Sequence, residues 1–403
     1  MPDPRPDAVR IPRDPDDDFQ PSAIEGRRQL LSDASEGSLA HLFGAPVPME
    51  EARGNIENLV GYAQVPVGLA GPLRVETSAG WREVLVPMAT TEGALVASYS
   101  RGMRLIGEAG GAWSRVVAEQ LSQHPVLVYD SARAALAAAD LCRGQFDRFA
   151  AIVAGATNHG SLVGVEPQVI GRRLILRLVF RTGDAIGINM AARAADEISE
   201  WVARDSGALE RFVHGQDVEK RANARALVEG RGRSVVCDVT IPRAVLERVT
   251  RTTPEALESI SRTYARGFAQ MGTQNWAVQS ANGLAAVLLA CGQDVAYLTE
   301  CATGFLDLEC TAAGDLHAAI SLPSLLVGTV GGGALKGTAR ECLSILDCVG
   351  DGKGNLFAEL LGAIVLAGDL SLMAAFCTHE FVAAHERLGR NRPASNPGGE
   401  SRT

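Results

Sequence analysis

The pattern of apolar and polar positions divides the chain into three textures. Ala23–Phe43 reads as one or two short helices. Glu57–Val75 reads as extended, turning backbone, with little freedom left by Pro66, Gly68, Gly71 and Pro72. Trp81–Met88 reads as a strand that feeds a helix ending near Gly110–Gly111. From about Pro125 the texture changes. Val126–Tyr129 is a short strand, Ser131–Leu141 an Ala-rich helix, and Arg172–Phe180 alternates like a strand with one wet face. Such alternation over about 90 residues predicts a small α+β insert. Beyond it come long helical segments: Pro254–Met271, Ser280–Ala290, Leu335–Leu346 and Asn355 to about Arg387. Leu360–Ala367 is among the longest apolar runs, and Gly368–Asp369 is expected to end it. Residues 1–22 and 393–403 read as disordered tails.

Composition narrows the class. With 403 residues, 46% of them hydrophobic, the chain can build two or more cores. Its net charge of −9 is spread out, no Lys/Arg run occurs, and aromatics are only 5%, so a nucleic-acid partner is not expected. No apolar run approaches the ~18–20 residues of a membrane span, and the Pro- and Asp-rich start is unlike a secretory leader. A cytoplasmic protein without a membrane partner is expected. The eight cysteines form no CxxC pair and have no histidine at zinc spacing, so buried, reduced thiols and no metal are expected.

Candidate chemistry sits in a few stretches. In Pro87–Gly102 (PMATTEGALVASYSRG), Glu92 opens a helix of small residues, with Thr90 and Thr91 as N-cap candidates. Ala94, Ala97, Ser98 and Gly102 would let another backbone approach closely. Glu92 either caps its own helix or needs a partner to offset burial. RTGDAIGINM, residues 181–190, runs from strand to helix through Gly183, Asp184 and Gly187, as a phosphate site or as an ordinary turn. GTVGGG, residues 328–333, is a phosphate nest, a hinge or a packing point. Lys220 lies among charges and reads first as solvated. Asp294 follows an apolar helix and a Cys-Gly-Gln turn, where a carboxylate calls for a partner such as Lys. His379 and His385 face different sides of a helix, which disfavours a metal pair and leaves His385 as a lone acid or a surface residue.

Together these stretches carry a resemblance. ENLVGYAQVPVGLAGPL, PMATTEGALVAS, GDAIGINM, GRGRSVV, ACGQD, GTVGGG and GDLSLMAA occur in the order found in 3-hydroxy-3-methylglutaryl-CoA reductases. The chain resembles their eukaryotic and archaeal class from about Glu57 to Arg392. The resemblance implies an α+β fold: a large helical domain with a long central helix (residues 23–124 and 213–392) and an inserted ferredoxin-like cofactor domain at 125–212. It implies reduction of hydroxymethylglutaryl-CoA to mevalonate by NADPH, with NADH also open, and no metal. Glu92, Lys220, Asp294, His385 and Asn282 fall on the catalytic positions. The resemblance implies that Lys220 stabilises the developing oxyanion, that His385 protonates the departing thiolate, and that Glu92 donates a proton from a buried cluster with Asp294 and Lys220. Asp184, Ile186, Gly187, Ile188, Asn189, Gly331, Gly332, Arg148 and Asp147 fall on the cofactor side. Arg221, Arg262, Ser98 and Arg101 fall on the substrate side. A homodimer or higher oligomer with shared sites is implied.

Departures from the family pattern cluster on the acyl pocket. Gln123 stands where relatives carry a substrate-binding Arg, Glu219 where they carry Asp, and Arg221 and Arg262 where they carry Lys. Val213-His214-Gly215 replaces Ser-Gly-Asn, Ser100 replaces Asn, and Gln279 replaces a common His. These changes raise the alternatives of a different acyl thioester or a non-catalytic acyl-CoA binder. Asp147, in place of Ser beside Arg148, adds a charge that disfavours a 2′-phosphate.

Overall fold

The computed structural model describes residues 10–12, 21–39, 51, 54–55, 63–157, 160–216 and 219–378. The expected tails lie outside these residues, apart from 10–12 and 21–22. Helix α1 (Pro21–Ala34) is followed by the hairpin β1 (Val67–Thr77) and β2 (Gly80–Ala89), helix α2 (Leu95–Glu108) and strand β3 (Ala112–Gln123). Next come β4 (Val126–Val128), α3 (Ala132–Arg143), α4 (Phe146–Ala156), β5 (Ser161–Ile170), β6 (Arg173–Arg181), α5 (Ile188–Ser206) and β7 (Glu210–Phe212). The remainder is α6 (Ala224–Glu229), β8 (Gly232–Ile241), α7 (Arg243–Thr250), α8 (Pro254–Met271), α9 (Ser280–Ala290), α10 (Leu298–Cys301), β9 (Phe305–Cys310), β10 (Leu316–Leu325), α11 (Gly337–Ile345) and α12 (Gly354–Cys377). Helix α8 has the bounds read from the sequence because both ends carry signals: Thr253 caps it, Pro254 opens it, and Gly272 closes it at φ 65°.

Two sheets share strand β3. Its Trp113–Gln120 stretch pairs antiparallel with β8, which pairs with β10 and then β9; β1 joins the other edge and brings β2. The last three residues of β3, Leu121–Gln123, pair instead with β6. Around β6 the order is β7–β4–β6–β5, all antiparallel, with helices between β4 and β5 and between β6 and β7. That βαββαβ order is ferredoxin-like. β3 and β10 carry no clean strand alternation, because their side chains mix polar and apolar residues, and the partner they share, β8, lies far from each in the chain.

Strand β6 corrects one expectation. It has no wet face: Leu174–Phe180 is buried throughout. The alternating Arg177 points inward, is only 5% exposed, and pairs with Glu166 at 2.6 Å and Glu229 at 3.1 Å. An arginine can take an inward position when carboxylates meet its fork.

Helix α12 corrects another. The helix passes through Gly368–Asp369 to Cys377, within its expected span (whose last part lies outside the described residues), and its 24 residues are apolar enough to cross a membrane, against the expectation that no apolar run approaches that length. Asp369 is fully buried and accepts the backbone N–H groups of Val278 (3.1 Å) and Gln279 (2.7 Å) just before α9. Glu359, one face away, accepts Ser78 N–H (2.8 Å), Ser78 Oγ (2.9 Å) and Val116 N–H (3.0 Å). Among the described residues this is the one helix long and apolar enough to cross a membrane, and 83% of its most apolar window is buried inside the protein. The small-residue face of α2 meets it: a Cβ on Gly102 would stand 1.8 Å from the Ala367 carbonyl oxygen. All eight cysteines are free, and six are buried, where burial pushes their thiols up.

Candidate active site

Lys220 lies in a turn with φ 60°, a left-handed conformation unusual for a residue with a side chain. Its backbone N–H donates to Glu300 Oε1. Its Nζ lies 3.3 Å from Asp294 Oδ2 and 4.9 Å from the centre of the Tyr297 ring. Asp294 is placed by the α9 C-terminus and the Gly292 turn (φ 63°), and its other oxygen caps a short 3₁₀ turn through Ala296 N–H at 3.0 Å. The sequence reading of Asp294 as a carboxylate waiting for a lysine therefore finds its lysine.

Glu92 does not sit in the helix. α2 begins at Leu95, and its N-cap is Ala94 at φ 72° without a side-chain cap. Thr90 instead accepts the Glu92 N–H through Oγ1 at 3.0 Å. Asn282, in the first turn of α9, offers Nδ2 to both Glu92 oxygens at 3.4 and 3.3 Å. Among the described residues the expected cluster of Glu92, Asp294 and Lys220 is not buried. Glu92 is exposed, and Lys220 and Asp294 are 45% and 46% exposed. Among the described residues nothing covers them. His385 lies outside the described residues.

The two glycine-rich stretches, 145 residues apart in the numbering of their first glycines, meet in space. Thr329 N–H donates to the Asp184 carbonyl at 2.8 Å, and a Cβ on Gly328 would stand 2.9 Å from both Asp184 O and Ile186 N. The Asp294 turn joins them: Gln293 Oε1 accepts Gly328 N–H at 2.9 Å, and Gly292 and Gly333 are in backbone contact. Gly331 and Gly332 have φ 74° and 54° and open space where a Cβ would stand. Gly187, at φ 78°, opens α5 without a side-chain cap, so Ile188 and Asn189 form an unsheathed helix N-terminus. The Asp184 carboxylate is already used, accepting Gly352 N–H (2.7 Å) and Gly354 N–H (2.8 Å) to hold the start of α12. Arg148 and Asp147 are not brought to this cradle. Arg148 stacks 4.7 Å over Trp201, thirteen residues along α5 from Ile188, or about 20 Å.

The substrate-side residues also separate. Arg221 lines an open cleft of about 510 Å³ with Lys220, Glu219 and His214. Ser98 and Arg101 turn inward: Ser98 Oγ is 3.0 Å from Ser371 Oγ, and Arg101 donates Nε to Ser371 Oγ (3.0 Å) and Nη2 to its carbonyl (2.5 Å). Arg262 pairs one turn back with Glu258 at 2.6 Å on α8. Gln123, 3% exposed, donates to Glu219 Oε1 at 2.8 Å, so two of the departures bond to each other.

Sequence reading missed what lies beneath Lys220. Arg231, 2% exposed, contacts both oxygens of Glu300, 0% exposed, at 3.1 and 2.9 Å, and reaches Glu219 at 3.0 Å. Burial pushes the Glu300 carboxyl up, with Arg231 and the Lys220 N–H opposing. The available signal was Glu300 itself, a lone carboxylate in the otherwise uncharged run Val295–Gly304.

Residues 23–390 match a family model described as hydroxymethylglutaryl-coenzyme A reductase. The 3-hydroxy-3-methylglutaryl-coenzyme A reductase of Methanothermobacter thermautotrophicus is 38% identical over 372 residues, covering 91% of this chain and 94% of its own. That of Haloferax volcanii is 38% identical over 376 residues, covering 92% and 93%. A solved class II 3-hydroxy-3-methylglutaryl-CoA reductase from Streptococcus pneumoniae, bound to NADPH, has the same fold with a TM-score of 0.72 at 19% identity, covering 90% of this chain and 98% of its own.

Proposed function

The chain belongs to the hydroxymethylglutaryl-coenzyme A reductase family, and from that premise we propose that it reduces 3-hydroxy-3-methylglutaryl-CoA to mevalonate and CoA, consuming two hydrides and two protons. The observation that carries this reading is the Lys220–Asp294 pair at the mouth of a cleft, beside the joined glycine loops. Lys220 offers a cation to the thioester oxygen as it gains charge. Asp294 orients that cation. Asn282 orients Glu92, which supplies a proton to the same oxygen. His385 would protonate the departing thiolate.

A nicotinamide dinucleotide, when bound, supplies the hydride. The residues present fit one: an uncapped helix N-terminus at Gly187–Asn189 and open glycine backbone at Gly331–Gly332 suit a pyrophosphate. NADPH is our reading, since the Streptococcus pneumoniae neighbour is bound to it; Arg148, about 20 Å from the cradle, is too far to hold the 2′-phosphate of a dinucleotide whose pyrophosphate lies there. We read residues 125–212 as the cofactor unit, and a homodimer as what covers Glu92, Lys220 and Asp294. Localisation is read as cytoplasmic.

The test is reduced-nicotinamide oxidation by purified protein with hydroxymethylglutaryl-CoA, with NADPH and NADH in parallel and Lys220→Ala as control. Turnover lost in the control supports the reading. A second reading, a different acyl thioester, is favoured by Gln123 and Glu219 being engaged with each other. Turnover of another thioester, with none of hydroxymethylglutaryl-CoA, would replace the first reading by the second.

A further inference from the structure

We infer that the buried Arg231–Glu300 pair positions Lys220, by holding the backbone of its turn in the left-handed conformation that aims Nζ at Asp294. The inference rests on Lys220 acting in the reaction, and goes beyond that assignment by naming what holds it.

The turn is held from both sides of one peptide bond. On one side Glu300 Oε1 accepts the N–H of Lys220. On the other, the side chain of Glu219 is gripped by Arg231 Nη2 at 3.0 Å, Gln123 Nε2 at 2.8 Å and the Tyr297 hydroxyl at 3.3 Å. Arg231 joins the two sides, since its Nη1 meets both oxygens of Glu300. Lys220 at φ 60° lacks the freedom of glycine, so its backbone persists only where the surroundings over-determine it. The anchor is built from separate elements: Arg231 precedes β8, Glu300 lies on α10, and Gln123 ends β3 at the junction of the two sheets.

An apolar pair of similar volume could hold the same elements together. What it could not supply is a directed acceptor for the Lys220 N–H. That difference makes the pair a positioning device separable from packing; Tyr297, at the end of the 3₁₀ turn that runs into α10, is the face over which the Lys220 ammonium lies.

Three variants test it: Glu300→Gln, which keeps an acceptor oxygen; Glu300→Leu, which removes it; and Glu300→Leu with Arg231→Met, which removes both charges. Amide hydrogen exchange of the peptide containing Lys220 is read alongside kcat, KM and melting temperature. We expect exchange at Lys220 at least tenfold faster in both Leu variants and closer to wild type in Glu300→Gln. We expect kcat down about thirtyfold in the double variant with KM within threefold, and kcat recovering in Glu300→Gln at equal melting temperature. Exchange at Lys220 unchanged in Glu300→Leu would overturn the inference, as would kcat losses that track melting temperature alike in all three. If the double variant does not fold, the Gln-against-Leu comparison decides by the same two readouts. A wild-type protein without turnover, but with the exchange pattern expected here, would overturn the proposed reaction and leave the anchor standing.

Discussion

Two ion pairs meet at the Lys220 turn under opposite conditions. Lys220–Asp294 is nearly half exposed on both sides, whereas Arg231–Glu300 is 2% and 0% exposed. Water screens the first, so it contributes only about 0–1 kcal/mol to stability. It is also the pair a substrate can reach. The second is cut off from water, so losing Arg231 leaves the Glu300 charge buried with no cation beside it, while losing Glu300 leaves Arg231 with Glu219. Asp369 adds a third condition: a carboxylate buried completely, whose hydrogen bonds come from backbone N–H groups instead of a guanidinium. Its carboxyl is pushed up to about 7 by burial, against the pull of those N–H groups. Burial is the larger influence on both carboxyls and pushes both up; the guanidinium beside Glu300 and the backbone N–H groups beside Asp369 oppose it.

The sharpest way to break this comparison is Arg231→Met. It should lower the unfolding free energy by about 3–5 kcal/mol in urea denaturation, because Glu300 is left buried and unpaired. A loss below about 1 kcal/mol would mean the buried pair behaves like the exposed one.

Asp369 predicts a pH effect whose sign is fixed. The folded carboxyl keeps its proton up to about pH 7, while the unfolded chain releases it near the ordinary aspartate value of 3.8. Over that window the folded state binds more protons, so stability falls as pH rises, by at most about 4 kcal/mol from this group. Urea denaturation at pH 4.5 and 7.5 should show a smaller fall for Asp369→Asn than for wild type. Parallel falls would sink the assignment.

Lys220→Met should reduce kcat about 10²–10³-fold while the urea midpoint stays near wild type. Loss of stability in proportion would mean that the exposed pair is structural. Gly102→Ala should cost about 1–3 kcal/mol or more through overpacking, since its new Cβ meets the α12 backbone. The smallest effect on stability is expected from Asp294→Asn, about 1 kcal/mol or less, with a clear loss of turnover. Raising salt should reduce even that stability difference.

Much of the local architecture was legible. Ser131 and Thr253 cap helices where hydroxyls precede apolar runs, and the small residues of Pro87–Gly102 foretold the contact between α2 and α12. The helix expected to open at Glu92 opens about one turn later, at Leu95, because the Ala94 backbone at φ 72° leaves no mark in a sequence of small residues. The alternation of β6 reads as a wet face because Arg177's carboxylate partners, cross-strand Glu166 on the neighbouring β5 and Glu229 on α6, lie outside that strand.

The sequence by itself determined the motif order, the candidate residues Lys220, Asp294, Glu92 and Asn282, and most helices, because capping, periodicity and glycine act over a few neighbours. Tertiary structure alone decided which of those residues touch. Asp294 meets Lys220 across 74 positions and Glu300 reaches its N–H across 80, while the glycine loops close on each other through backbone contacts that carry no side-chain signal. Long-range pairing depends on the strand order around β3 and on what burial leaves unsatisfied, and neither is encoded in the spacing of any one stretch.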